Sequence, residues 1–310
     1  MTAEQHPAQD EASDVQHVPV LTEPLLERIQ LPTDGIMVDA TVGHGGHSRH
    51  FGRQLGPAGV LLGLDVDQHS IQRARSTLSD LACRVVLVRE NFARMDEILT
   101  QQGIDTVDVI LADLGFCSGQ LEDTSRGLSF QTPQPLDMRL DDRLTTTAAD
   151  LVNSLGQKEL ADVIYEYGQD RASRRIARFI VQQRSVKKLT TTTELAAVVA
   201  KALRRGGKPP RIHPATRTFQ ALRIAVNHEL ESLDALLDAA PDRLKPGGTI
   251  AIISFHSLED RRVKLNFRKN KANGLYEILT KKPMTAMPDE IERNPRSRSA
   301  KLRIARRTPG

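Results

Sequence analysis

The sequence predicts an α/β protein whose mostly parallel sheet is interrupted by a helical insertion. Three observations carry this expectation. Between Ile36 and Gly115, short apolar runs alternate with helical stretches. From about Leu121 to Leu144 the alternation gives way to a loop-like segment punctuated by Pro133 and Pro135, and long helical patterns follow. At "KPGGTIAIISFHSLEDRRVK" the strand-and-helix pattern returns. Apolar strands separated by helices indicate βαβ units and a parallel sheet covered on both faces.

The elements follow in order. "GIMVDATVG" reads as a buried strand running into a glycine turn, and "GVLLGLDVD" as a second strand followed by the helical "HSIQRARSTLSDLA". "RVVLVRENF" is a third strand, "ARMDEILTQQG" a helix and "VDVILADLG" a fourth strand. The long helical patterns are "AADLVNSLGQKELADVIYEYG", "DRASRRIARFIVQQR" and "TTTELAAVVAKALRR", the last capped by Thr192 or Thr193. "GGKPPRIHP" breaks them, "ATRTFQALRIAVNHELESLDALLDAAPDRL" resumes as helix, and the alternating "SAKLRIARR" reads as a final strand. The expected organisation is a tail over residues 1–14, a sheet domain over 15–121, a helical insertion over 122–213 and the rest of the sheet domain over 214–310.

A chain of 310 residues, 39% hydrophobic and 26% charged, can bury a sizeable core. Its two cysteines, Cys83 and Cys117, make no disulfide framework and point to a reducing, cytoplasmic compartment. No apolar run approaches the roughly 20 residues of a membrane span. The first 14 residues hold Glu4, Asp10, Glu11 and Asp14 but no Lys or Arg. They read as a disordered tail, neither a secretory leader nor an Arg-rich transit peptide. Net charge is only +4, yet basic residues cluster in "RASRRIARFIVQQRSVKK", in "KALRRGGKPPR" and from Arg293 to Arg307, a stretch without an acid. Three such patches favour a phosphate-rich partner, that is, nucleic acid.

In "VDATVGHGGHS" the first strand ends at Asp39, and Gly43, Gly45 and Gly46 form the turn after it. Glycines there let the backbone take positive φ and approach a ligand. The string is not G-x-G-x-x-G, so the dinucleotide fingerprint of an NAD-dependent oxidoreductase is missing. The second strand ends in Asp65, twenty residues past Gly45, where an acid can hydrogen-bond ribose hydroxyls. In an S-adenosylmethionine (SAM) site that acid grips the ribose while the glycine turn passes beneath the methionine part. Phe92 ends the third strand, placed to stack on adenine, and Asp113 ends the fourth, facing the crevice.

"HVPVLTEPLL", "DATVGHGGHS", "DLGFCSGQLEDTSRGLSF", "PLDMRLD", "HPATRTFQALRIAVNHELE", "PGGTIAIISFHSLEDRRVK" and "NPRSRSAKLRIARR" occur in that order. Together they closely resemble the bacterial small-subunit ribosomal RNA cytosine-N4 methyltransferase family, from about His17 to Arg307. The resemblance implies a class I, Rossmann-like, SAM-dependent methyltransferase with an inserted helical RNA-recognition domain. Its expected substrate is N4 of one cytosine in the decoding region of small-subunit (16S) rRNA, within the assembled 30S subunit. It implies cofactor contacts at Gly45, Gly46, His47, Asp65, Phe92, Asp113 and Gln120. Arg126, Arg139, Arg217 and the basic tail are the candidate phosphate contacts. No membrane role is expected, and an oligomer stays open. One departure stands out: the family usually has serine where this chain has Cys117.

Two reactions on cytosine must be separated. Methylation at C5 requires a thiolate to add at C6, so a cysteine is obligatory. RNA C5-methyltransferases place Asp, one residue, Pro and then Cys-Ser-Gly after the fourth strand; here Leu114, Gly115 and Phe116 separate Asp113 from Cys117, and no proline precedes it. A one-residue shift in a tight turn re-aims the side chain, which reads Cys117 as a bystander. Methylation at N4 needs no covalent adduct, only an oriented amine and an acceptor for its proton, for which Asp113 is the candidate. Phe130 and Met138 are candidate walls for a flipped base. His256, Glu259 and Asp260 of "HSLED" offer too few ligands for a metal, and Ser257 and Glu259 read as helix-start caps. A SAM-binding assembly factor without catalysis is the non-enzymatic alternative.

Overall fold

The computed structural model describes residues 19–116, 120, 123–204 and 213–309. Five strands run parallel: β1 (Ile36–Asp39), β2 (Val60–Asp65), β3 (Arg84–Arg89), β4 (Val107–Asp113) and β5 (Leu244–Ser254). β6 (Tyr276–Ile278), β7 (Met284–Thr285) and β8 (Lys301–Arg307) complete the sheet, with β8 antiparallel to β5 and paired to both β6 and β7. The order is β3-β2-β1-β4-β5-β8-β6, so the chain reverses direction across the sheet between β1 and β4. In open α/β sheets such a reversal leaves a crevice at the carboxyl ends of the strands, where ligands bind. Asp39, Asp65 and Asp113 end β1, β2 and β4 at that edge.

Strand alternation sends successive side chains to opposite faces. Val38, Ile110 and Ala112 enter one core with Leu64, Leu99, Leu236 and Phe267. Met37, Val109 and Leu111 enter the other with Leu25, Phe51, Ile71 and Ile304. The helices on the second face are α1 (Thr22–Arg28), α2 (Gly46–Gly52) and α3 (Gln68–Thr77); α4 (Met95–Gln101) covers the first.

The insertion carries a third core built from α5 (Ala148–Ser154), α6 (Gln157–Gly168), α7 (Ser173–Val186) and α8 (Thr192–Leu203). The long helix expected from Ala148 splits at Gly156, whose backbone N–H donates to Glu159 Oε2 at 2.8 Å at the start of α6. The cap of α8 is Thr191, one residue before the expected position, because its hydroxyl accepts from Glu194 N while Glu194 reaches back to the Thr191 N–H.

Two further differences shape the site. The helix expected from Ala215 to Leu244 breaks at His228, which takes the left-handed conformation (φ 51°) and separates α9 (Thr216–Asn227) from α10 (Glu229–Arg243). Phe219, Leu222 and Val226 of α9 pack in the insertion's core, so that core extends past residue 213 to the break itself. α10 and α11 (Ser257–Ala272) then return to the first sheet face, and α12 (Pro288–Arg293) leads into β8.

Candidate active site

The glycine turn is organised by carboxylates. Asp39, buried at the end of β1, accepts from Ser48 Oγ at 2.6 Å and Thr41 N at 3.2 Å, and burial pushes its carboxyl above the ordinary range. Thr41 Oγ1 in turn accepts from Asp113 N at 2.6 Å, which ties the β1 turn to the end of β4. Asp65 accepts from Gly43 N at 3.0 Å and Asp67 N at 2.8 Å. Removal from water outweighs these bonds and pushes the Asp65 carboxyl up to about 7. Gly45 has φ +86°, and a Cβ there would press on Leu78 at 3.2 Å.

Gly46, His47, Asp65, Phe92, Asp113 and Gln120 line one cavity of about 540 Å³, beside Gly43 and His44. Of the expected cofactor positions, Gly45 alone shapes the turn without lining the cavity. His47 is buried, neither of its ring nitrogens has a hydrogen-bond partner, and Nε2 stands 3.4 Å from Asp113 Oδ2. Gln120 is buried in the same wall. Phe92 lies just beyond the strand that sequence assigns it to: β3 stops at Arg89, and Phe92 opens a short 3₁₀ turn whose Asn91 cap accepts from Ala93 N at 2.8 Å. The cavity continues past Asp113 along Leu114, Gly115 and Phe116, then Asn227, His228 and Glu229, then Phe255 and Glu259.

The MraW methylase family model matches residues 14–308. A ribosomal RNA small subunit methyltransferase H of Cyanothece sp. (strain PCC 7425 / ATCC 29141) is 49% identical over 291 residues, covering 94% of each chain. Its counterpart in Koribacter versatilis (strain Ellin345) is 47% identical over 299 residues, again 94% of each chain. This chain belongs to the MraW methylase family. It is an enzyme, a methyltransferase that uses SAM.

The residues of this methylase fit that cofactor. A volume near 540 Å³ is of ligand-pocket size (about 300–1,000 Å³). Among the buried cavity-lining groups, His47 makes no hydrogen bond, its Nε2 standing 3.4 Å from Asp113 Oδ2, and the Asp65 carboxylate ends β2 in the same wall. Asp65 would hold the ribose, Phe92 would flank the adenine, and the Gly43–Gly46 turn and His47 would surround the methionine part.

The arginines separate sharply. Arg126 donates to Asp123 at 3.0 Å, to Asp67 at 2.6 Å and to the Leu140 carbonyl at 2.8 Å, so its guanidinium braces the start of the insertion against the N-cap of α3. Arg139 grips Asp137 with two nitrogens and the Leu144 carbonyl with a third. Both guanidiniums, expected as phosphate contacts, are engaged in ties within the chain. Arg217 is exposed on α9, with one 3.4 Å bond to the Gln169 carbonyl. The basic tail runs from the end of α12 through a 3₁₀ turn (Pro295–Ser299) into β8, where Arg303 pairs with Asp260 at 2.7 Å. Phe130 and Met138 also lie elsewhere than expected: Phe130 packs 4.7 Å from Phe219, and Met138 is buried in the same helical core. They anchor the insertion.

Sequence reading missed Phe116, Phe255 and Glu229. The structure brings Glu229 to His256 and Glu259, their ligand atoms within 4.8 Å of one another. Both Glu229 oxygens accept from Arg223, and Glu259 closes the capping box of α11 with His256, the actual cap. Ser257, expected as a cap, donates instead to Gln169. Burial pushes Glu259 up to about 8 and, with Arg223 and Arg262 nearby, His256 down to about 3. Cys117, Ser118, Gly119 and Leu121 lie outside the described residues.

Proposed function

We propose that this methylase transfers a methyl group to the exocyclic N4 amine of a cytosine in the decoding region of small-subunit rRNA, with the assembled 30S subunit as substrate. The observation that carries this reading is that Asp65, Asp113, Phe116 and Phe255 all line one cavity of about 540 Å³. SAM supplies a sulfonium-activated methyl group when bound.

What the chain's own residues do follows from the nucleophile. The N4 lone pair is delocalised into the ring, so the amine must be turned towards the methyl and its proton accepted. Asp113 Oδ1 already accepts from Gly115 N at 3.2 Å, which fixes the carboxylate's orientation. Its Oδ2, facing His47, is the atom that accepts from N4. Holding nucleophile, methyl and sulfur in line contributes up to ~7–11 kcal/mol without any covalent adduct. Cytoplasmic residence follows from an rRNA substrate, and no helix among the described residues is long and apolar enough to cross a membrane. The helical insertion is the RNA-recognition part.

Nucleoside mass spectrometry tests this on 30S subunits from a strain lacking the protein, treated with purified enzyme and methyl-labelled SAM. Label on N4 of one cytosine is the expected result, with Cys117→Ser methylating at the wild-type rate. Label on C5 that disappears in Cys117→Ser would overturn the mechanism.

A further inference from the structure

The part of the cavity beyond Asp113 has walls that the cofactor does not need. The ring of Phe255 lies against the bare backbone of Gly115: a Cβ there would come within 2.7 Å of two Phe255 ring carbons and 3.2 Å of Asp113 Oδ1. Glycine at position 115 is what allows an aromatic ring to sit beside the proposed proton acceptor. Phe116, the next residue, also lines the cavity, and it is held from across the fold. The guanidinium carbon of Arg223, on α9, stands 4.2 Å from the Phe116 ring centroid. Nε and Nη2 of the same guanidinium donate to the two Glu229 oxygens at 2.8 and 2.9 Å. Glu229 lines the cavity at the α9–α10 break, so one mostly buried arginine fixes both a ring and a carboxylate of the same wall.

Two rings beside a methyl-transfer centre suit a planar, unstacked base. Enzymes that modify a base extrude it from its stack and recover part of the cost by stacking it on apolar or aromatic side chains. Resting on the methylase reading above, we propose that Phe255 and Phe116 are the walls that seat a single flipped pyrimidine next to Asp113. Arg223 is the positioning residue that holds the Phe116 wall and the Glu229 edge. Phe255, held by Gly115 and by packing against the second sheet-face core, carries most of the stacking; Phe116 depends on Arg223.

The test compares variants on 30S subunits with methyl-labelled SAM, measuring KM and kcat for subunits and, separately, SAM Kd by calorimetry. Losing a base–aromatic stack costs roughly tenfold or more, so Phe255→Leu lowers kcat/KM for subunits by about that factor and Phe255→Tyr restores most of it. Phe116→Leu and Arg223→Gln lower it by a smaller, mutually similar factor of about three to five. SAM Kd stays within about twofold in all four. Turnover of Phe255→Leu at the wild-type rate overturns the seat, as does a loss of SAM affinity that matches the loss of turnover. Should Phe255→Leu fail to fold, Phe116→Leu decides, since it leaves the Arg223–Glu229 pair intact; wild-type turnover there overturns the proposal. A wild-type enzyme that labels no cytosine N4 sinks the methylase substrate reading itself, which distinguishes that failure from failure of the seat.

Discussion

At the cofactor end of the pocket, Asp65 takes N–H groups from Gly43 and Asp67, and Asp39 takes its bonds from Ser48 and Thr41. Every one of these pairs is separated by 22 residues or fewer. At the other end, Phe116 follows β4 while its partner Arg223 belongs to α9, the last helix of the insertion's core, and Glu229 and Phe255 come later still. The bonds at the first end lie within two adjacent βα units. The second exists only when the helical core has docked on the sheet. Substitutions in the insertion should therefore disturb the base end and leave the cofactor end intact, while substitutions in the glycine turn do the reverse.

The largest effect expected is from Asp65→Ala, which would remove the carboxylate proposed to hold the ribose. SAM affinity should fall by about 100-fold or more, measured by calorimetry, with the helical core still cooperative in its own melting. Loss of that core's structure in the same variant would break the comparison. Gly127→Ala probes the other side. Gly127 has φ +66°, and a Cβ there would lie 2.0 Å from the Pro135 carbonyl oxygen at the entry to the insertion. Strain of that kind should destabilise the protein by ~3 kcal/mol in denaturant titration, while the folded fraction binds SAM as the wild type does.

The pH dependence comes next in size. Burial raises Asp65 from 3.8 to about 7 and Glu259 from 4.5 to about 8, so both hold a proton more firmly when folded than when unfolded. Their contribution to the stability of the ligand-free protein is complete below about pH 4 and is lost as pH rises through 7 to 8. Cofactor hydroxyls that donate to Asp65 favour its ionised form, which gives the opposite sign for binding. SAM Kd should rise as pH falls below about 7, by at most about tenfold per unit, and Asp65→Asn should flatten the profile. A flat wild-type profile would show that Asp65 does not hold the ribose.

The smallest effect is on the surface. Arg217→Ala should leave the melting temperature unchanged and reduce the salt dependence of subunit binding by about one phosphate contact, whereas Arg126→Ala should lower the melting temperature first. Equal behaviour of the two would contradict the separation between exposed and internally paired arginines.

Much of this was legible in the chain. Apolar runs ending in Asp39, Asp65 and Asp113, with glycines following the first, place an acid-rimmed crevice at one sheet edge, because strand period and turn chemistry are local properties. The arginines were not legible. A string such as "SRGLSF" shows that Arg126 carries charge, but not that Asp67 and the Leu140 carbonyl are waiting for it. Nor did the pattern around "AVNHELE" disclose a break, since it contains neither Gly nor Pro and keeps helical spacing on both sides. The break is set by tertiary contacts: Asn227 accepts from Leu140 N at 2.7 Å and donates to the Met138 carbonyl at 2.8 Å, which stops α9 against the insertion loop.

The sequence by itself thus determined the strands and the acids that end them, since these rest on residues close together in the chain, and the family, whose motifs keep their order along it. Only the tertiary structure decided which arginines face inward and where a long helix turns. It alone brought Phe116, Glu229 and Phe255 to one wall, because those outcomes depend on side chains that meet only after three separate cores have packed.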